Sequence, residues 1–173
     1  MEETNYLRVC TERRSVRALN AGEQPPVGAH LIVPWFGFTH HGIYAGAGRV
    51  VHYGALMYDI IRKPVEEVSL EAFAEGRPLY VVEHETVCFS AAEVIARARS
   101  RLGEKRYRLL RNNCEHFVEW CLHDVSRSFQ AETALAYPRM MGTWFQNLLL
   151  NLLQRLLTVR IPARAKARLR RRD

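Results

Sequence analysis

Residues Tyr107–Cys121 read YRLLRNNCEHFVEWC, and the change from a polar to a periodic pattern inside this stretch decides the fold. Asn112 or Asn113 can cap a helix, because an asparagine side chain accepts one of the N–H groups left over in a first helical turn. The helix then runs through Cys114–His123, with Phe117, Val118, Cys121 and Leu122 at the spacing that turns one face to a core. A thiol at the start of that helix stands at the positive end of its dipole, which predicts a lowered pKa and a better nucleophile. The same N–H groups can stabilise the oxyanion of a tetrahedral intermediate.

Upstream, Thr39–His52 reads THHGIYAGAGRVVH. Two β-like runs, Gly42–Ala45 and Arg49–Tyr53, flank Gly46-Ala47-Gly48, a small-residue connection that favours a hairpin. Ala29–Val33, after Pro25-Pro26 and Gly28, and Pro78–Glu83 are further strand candidates. Ser90-Ala91-Ala92-Glu93 matches a capping box, and Gly103 stands where its helix would stop. Val94, Ile95, Ala98 and Leu102 between them predict one buried face. Together these elements give an α+β class, a small antiparallel sheet packed on the helix that begins at Cys114. A nucleophilic cysteine needs a base, and His40 and His52 lie on adjacent strands of one hairpin. One could accept the thiol proton while the other holds the first ring in its tautomer. The structural alternative is a cysteine that is a small apolar core residue and histidines that are polar surface groups.

The chain has 173 residues, 48% hydrophobic and 25% charged, which suits one folded domain and excludes a disordered protein. Cys10, Cys88, Cys114 and Cys121 are too scattered for a disulfide framework and are expected to be reduced thiols. Cys121 reads as core and His116 as a structural hydrogen-bonding group. His30, His84 and His123 have no companions that would make them ligands. A Cys114–His116–Cys121–His123 set has the wrong rhythm for structural zinc. The formal net charge is +7, and that excess lies in residues 155–173, where eight basic side chains face only Asp173. A neutral domain with a basic tail disfavours a specific nucleic-acid surface. Residues 1–24 read as a polar arm without a secretory signal, so a cytoplasmic, non-secreted protein is expected. Trp144–Ile161 reads as an amphipathic helix, too broken in its apolar runs for a lone membrane span. With the arginines behind it, residues 144–173 either lie on a membrane surface or pack on the domain.

Thr39–His52 and Tyr107–Cys121 taken together resemble the lecithin:retinol acyltransferase-like family. That family includes the phospholipid-metabolising acyltransferases and phospholipases related to the H-Ras-like suppressors, and is akin to permuted NlpC/P60 thiol hydrolases. The resemblance covers Pro25 to Val125. It implies Cys114 as nucleophile, His40 as general base and His52 as the residue that orients and polarises that base. Tyr107 and Asn113 would contact substrate, and no metal or organic cofactor would be required. His41 falls where relatives place an aromatic or other residue and stays outside the implied catalytic set. The loop Ala45-Gly46-Ala47-Gly48 lacks the acidic residue many relatives carry. The implied plan is an arm over 1–24, a thiol acyltransferase domain over 25–140, and an amphipathic helix with a basic tail over 141–173. The implied chemistry is acyl transfer from a phospholipid ester through an acyl-cysteine. An NlpC/P60-type amidase or peptidase and a non-catalytic module that binds membranes or proteins are the alternatives. The acyl chain, the ester position, the acceptor and the oligomeric state are not encoded in any motif.

Overall fold

The computed structural model describes residues 14–20, 22–35, 38–54 and 64–136. The expected helix over Trp144–Ile161 and the basic tail lie outside the described residues. Six strands, β1 (Arg14–Ala18), β2 (His30–Trp35), β3 (Phe38–Gly46), β4 (Arg49–Tyr53), β5 (Val65–Ser69) and β6 (Tyr80–His84), form one antiparallel sheet in the order β1-β6-β2-β3-β4-β5. Among the described residues four helices accompany it: α1 (Leu70–Ala74), α2 (Ala91–Ser100), α3 (Cys114–His123) and α4 (Phe129–Ala136). The α+β class and the β3–β4 hairpin are as the sequence pattern predicts. Residues 1–24 suggested no element, yet Arg14–Ala18 forms an edge strand paired with β6.

Alternation along the strands splits the core in two. On one face Leu31, Val33, Tyr44, Val50 and Val81 pack around Phe73 of α1. On the other, Ile43, Val51 and Tyr53 meet Val94 and Ala98 of α2 and Phe117, Val118, Cys121 and Leu122 of α3. Each such fully buried aliphatic or aromatic side chain contributes about 1.5–3 kcal/mol. Both helix starts are capped as the sequence indicates. Ser90 and Glu93 form a reciprocal capping box on α2, and Asn113 caps α3 with His116 closing the box.

Two expectations fail here. Leu102 is 45% exposed, because α2 ends at Ser100 and the helical period no longer applies two residues on. Cys88 is disulfide-bonded, whereas Cys114 and Cys121 are free. The expectation of reduced thiols is therefore corrected for Cys88, since folding can join cysteines whose sequence spacing gives no sign of it.

Candidate active site

Cys114 is the first residue of α3, and its side chain is 3% exposed. The Asn113 cap fixes its place: Asn113 Oδ1 accepts the N–H of His116 at 3.0 Å, and Asn113 Nδ2 donates to the Leu109 carbonyl at 2.8 Å and to Ser128 Oγ at 3.1 Å. The Asn113 carboxamide, expected to contact substrate, is thus engaged in holding the helix start. His116 takes the N–H of Asn113 on Nδ1 at 3.4 Å.

The thiol meets the sheet at an opening in β3. Tyr44 directs its N–H and C=O to the β2 side, bonding Ala29 and Gly28 at 2.9 and 2.8 Å. By alternation, Thr39 and His41 direct theirs to the β4 side. The β3–β4 ladder reaches only as far as the pair Gly42–His52, so those groups lie beyond its end. There Cys114 Sγ approaches the Thr39 carbonyl at 4.0 Å and takes the backbone N–H of His41. Thr39 and His41 flank His40.

His40 and His52 project to the opposite face from α3. His40 Nε2 lies 2.8 Å from His52 Nδ1, with the rings edge to face. Phe73 contacts both, with centroids 5.1 Å from His40 and 5.4 Å from His52. His52 Nε2 is 3.5 Å from the Glu66 carboxylate. The structure therefore brings the two histidines together and sets the thiol against the backbone on either side of His40. Tyr107 packs edge to face on Tyr53 at 5.2 Å and against the cluster that contains Cys114.

Electrostatics overturn the predicted thiol acidity. Burial pushes the Cys114 thiol up to about 12, and Glu115 pushes in the same direction. The backbone N–H groups of His41, Glu115 and Cys114 itself pull it down without prevailing. The dipole of a ten-residue helix is worth about 1 kcal/mol, less than the desolvation of a buried thiolate. His40 is held well below the ordinary histidine value, first by burial and then by His52 and His41. At rest the thiol is protonated and the His40 imidazole is neutral.

Several participants are invisible to a local reading. Gln130 of α4 serves as a substitute strand for Thr39, accepting its N–H on Oε1 at 2.8 Å and donating from Nε2 to its carbonyl at 3.2 Å. Buried Glu115 accepts from Ser128 Oγ at 2.6 Å and from the Gln130 N–H at 3.0 Å, which ties α4 to α3. His41 begins a row of imidazoles. His41 Nδ1 meets His30 Nε2 at 2.8 Å, His30 Nδ1 meets His84 Nε2 at 2.9 Å, and His84 Nδ1 meets His123 Nε2 at 3.1 Å. His30, His84 and His123, read as lacking companions, are thus companions of one another. The missed signal is that adjacent strands and α3 bring them to one face. Among the described residues, His30, His84 and Glu119 could offer ligand atoms within 4.8 Å of one another. The Arg14 guanidinium, 3.2 Å from the Glu119 carboxylate, already supplies a cation to this cluster.

Residues 23–127 match the family model for lecithin retinol acyltransferase. The lecithin retinol acyltransferase of Rattus norvegicus is 35% identical over 126 residues, covering 55% of this chain and 53% of the relative. That of Bos taurus is 33% identical over 135 residues, covering 61% of this chain and 57% of the relative. Phospholipase A and acyltransferase 2 of Homo sapiens is 27% identical over 131 residues, covering 66% of this chain and 81% of the relative. The chain spans about half the length of the lecithin retinol acyltransferases it matches. The matched span holds the whole hairpin of β3 and β4 and all of α3, and on that extent the chain belongs to the lecithin retinol acyltransferase family.

Proposed function

We propose that the chain is a thiol-dependent acyltransferase or phospholipase that draws an acyl group from a phospholipid ester onto Cys114. The observation that carries the reading is the meeting of Cys114 Sγ with the β3 backbone on both sides of His40, whose ring is paired at 2.8 Å with His52. The names of the relatives support the substrate class.

In the proposed mechanism His40 donates Nε2–H to His52 Nδ1, and His52 Nε2–H faces the Glu66 carboxylate. That leaves His40 Nδ1 to take the thiol proton. With the thiol held near 12, ionising it beforehand at pH 7 would cost about 7 kcal/mol. The proton therefore moves to His40 as sulfur attacks the ester carbonyl. The tetrahedral intermediate collapses, His40 returns the proton to the departing lysolipid oxygen, and an acyl-cysteine remains. Water then gives a fatty acid, or an alcohol or amine takes the acyl group. His52 orients the base, Asn113 positions the helix start, and Tyr107 lines the approach. The reaction draws on no metal or organic cofactor.

Association with a membrane surface through residues 144–173 belongs to the same proposal. Among the described residues no helix is long and apolar enough to cross a membrane. The test is incubation with phosphatidylcholine vesicles carrying a labelled acyl chain, followed by intact-mass and lipid analysis. An acyl adduct or released fatty acid that is absent in Cys114→Ala and in His40→Ala supports the thioester route. A folded protein that forms neither with phospholipids, yet cleaves amides, would establish the NlpC/P60-type alternative instead.

A further inference from the structure

The loop that leads into Cys114 walls a cavity of about 500 Å³ lined by Lys105, Arg106, Tyr107, Arg108, Arg111 and Asn112. Four of these six side chains are cations. Several arginines elsewhere in the described fold meet carboxylates: Arg17 meets Glu23, Arg97 meets Asp124, Arg99 meets Glu67 and Arg127 meets Glu132. Among the described residues, Lys105, Arg106, Arg108 and Arg111 have no carboxylate within ion-pair distance. Four like charges around one concavity repel one another and create a focused positive potential, which an anion in the cavity would relieve.

The loop is built to hold that arrangement. Arg108 N–H donates to the Asn112 carbonyl at 3.0 Å, and Asn112 N–H returns to the Arg108 carbonyl at 2.8 Å. The Asn112 side chain donates to Glu104 and to the Arg106 carbonyl, both at 3.0 Å, and accepts from Arg101 at 3.1 Å. At the tip this closed turn presents Leu109 and Leu110, 42% and 40% exposed. Tyr107 belongs both to the cavity wall and to the packing around Cys114.

We propose that this loop is a headgroup site: it takes the phosphate of a glycerophospholipid lying in a bilayer, with Leu109 and Leu110 entering the interface. The inference rests on the phospholipid reading above and names the part of the substrate that this chain holds. Guanidinium forks match phosphate oxygens in pairs. The two ester groups of a glycerophospholipid lie within one glycerol unit of its phosphate, so a phosphate held here keeps an ester on the Tyr107 side, toward Cys114. A soluble phosphate would make no use of two exposed leucines at the rim, whereas a bilayer surface uses both features at once.

The test uses the full chain carrying Cys114→Ala, so that no turnover occurs and the basic tail stays constant. Partition is measured on phosphatidylcholine vesicles with and without phosphatidic acid. Arg108→Gln with Arg111→Gln should weaken partition onto the anionic vesicles about thirtyfold, at about fivefold per lost charge. Arg17→Gln with Arg99→Gln removes the same charge from ion-paired positions and should change partition by no more than about twofold. Leu109→Ser with Leu110→Ser should weaken the binding that persists at high salt, where the charges are screened. The arginine and leucine positions are exposed or partly exposed, and thermal unfolding establishes that each variant, like its Cys114→Ala parent, is folded. An Arg108/Arg111 variant that partitions within about twofold of its parent overturns the proposal. So does loop-dependent binding of inorganic phosphate without loop-dependent partition, which would make the ligand a soluble phosphate. Loss of the loop effect leaves acyl-cysteine formation in the native chain untouched, and an absent adduct leaves the partition result untouched, so the two readings fail separately.

Discussion

Gly42→Ala tests whether the packing above the histidine pair sets its geometry. Gly42 sits on β3 opposite His52 and shares a sheet face with His40. A Cβ there would come 2.7 Å from Val50 Cγ1 and 2.9 Å from Phe73 Cε2, distances real Cβ atoms do not sustain. Val50 is fully buried and Phe73 is 2% exposed, so neither side chain can swing into solvent. Overpacking of this kind costs about 1–3 kcal/mol. In urea that is a midpoint lower by about 1 M, for a slope of about 1–3 kcal/mol per M. Phe73 yields by pressing toward His40 and His52, the rings it already touches. In the proposed reaction, release of labelled fatty acid should therefore fall about tenfold or more, because sub-ångström misplacement of the proposed base and its partner is costly. Phe73→Leu vacates the space the new methyl needs. In a double-mutant cycle the pair should be more stable than the sum of the single effects by about 1 kcal/mol or more. Strict additivity, or a Gly42→Ala protein as stable and active as the parent, would refute the reasoning.

Acid should unfold the protein through its buried imidazoles. His41 is lowered to about 4, so below pH 6.5 the unfolded chain takes a proton the folded chain refuses, and about 3 kcal/mol is lost by pH 4. His84 and His123 act in the same direction; Glu119, raised to about 7, gains stability as pH falls from 7 toward 4.5 and offsets roughly one histidine. Urea midpoints measured from pH 7.5 to 4 should thus decline steeply below 6.5, and a flat profile would contradict the buried neutral row. Iodoacetamide labelling of Cys114, followed by peptide mapping to separate it from Cys121, should accelerate about tenfold per pH unit from 7 to 9.5 without a plateau, as expected for a thiol rather than a resting thiolate. Glu66→Gln should lower kcat about fivefold with KM unchanged, the scale of a partly exposed pair worth about 1 kcal/mol, and an unchanged kcat would remove Glu66 from the positioning of His52.

What could be read from the chain is what is local to it. The α3 cap, the α2 capping box and the β3–β4 hairpin each depend on side chains within a few residues of one another, and each forms where the pattern places it. The pairing of His40 with His52 follows from the hairpin register alone. Phe73, Gln130 and Arg14 could not be found this way. Their importance arises because α1 folds onto one sheet face, α4 reaches back to Thr39, and β1 joins the sheet edge beyond β6. Adjacent strand residues point to opposite faces, so His40 and His41 cannot serve the same environment. His41 had to meet something on the α3 side, and it meets His30 and Gln130. The Cys114 thiol departs from the sequence expectation because a dipole can be inferred from a cap, whereas complete burial depends on the whole assembled core.

A neutral resting site follows from where its parts come from. The thiol lies on the α3 face, where it meets the β3 backbone at Thr39 and His41, the histidines lie on the α1 face, and both are buried. A thiolate–imidazolium pair there would carry two desolvated charges. A thiol and a neutral imidazole carry none, and the three backbone N–H groups directed at Cys114 Sγ cost no reorganisation while they wait. In the proposed reaction charge develops only as sulfur attacks, when N–H groups already fixed in a strand and a helix start are most effective. The histidine pair then spreads the new positive charge over two rings, with Glu66 beyond them. The burial that raises the thiol pKa thus need not argue against a nucleophile. It moves the cost of ionisation from the resting state to the attack, where the site's fixed dipoles can offset it.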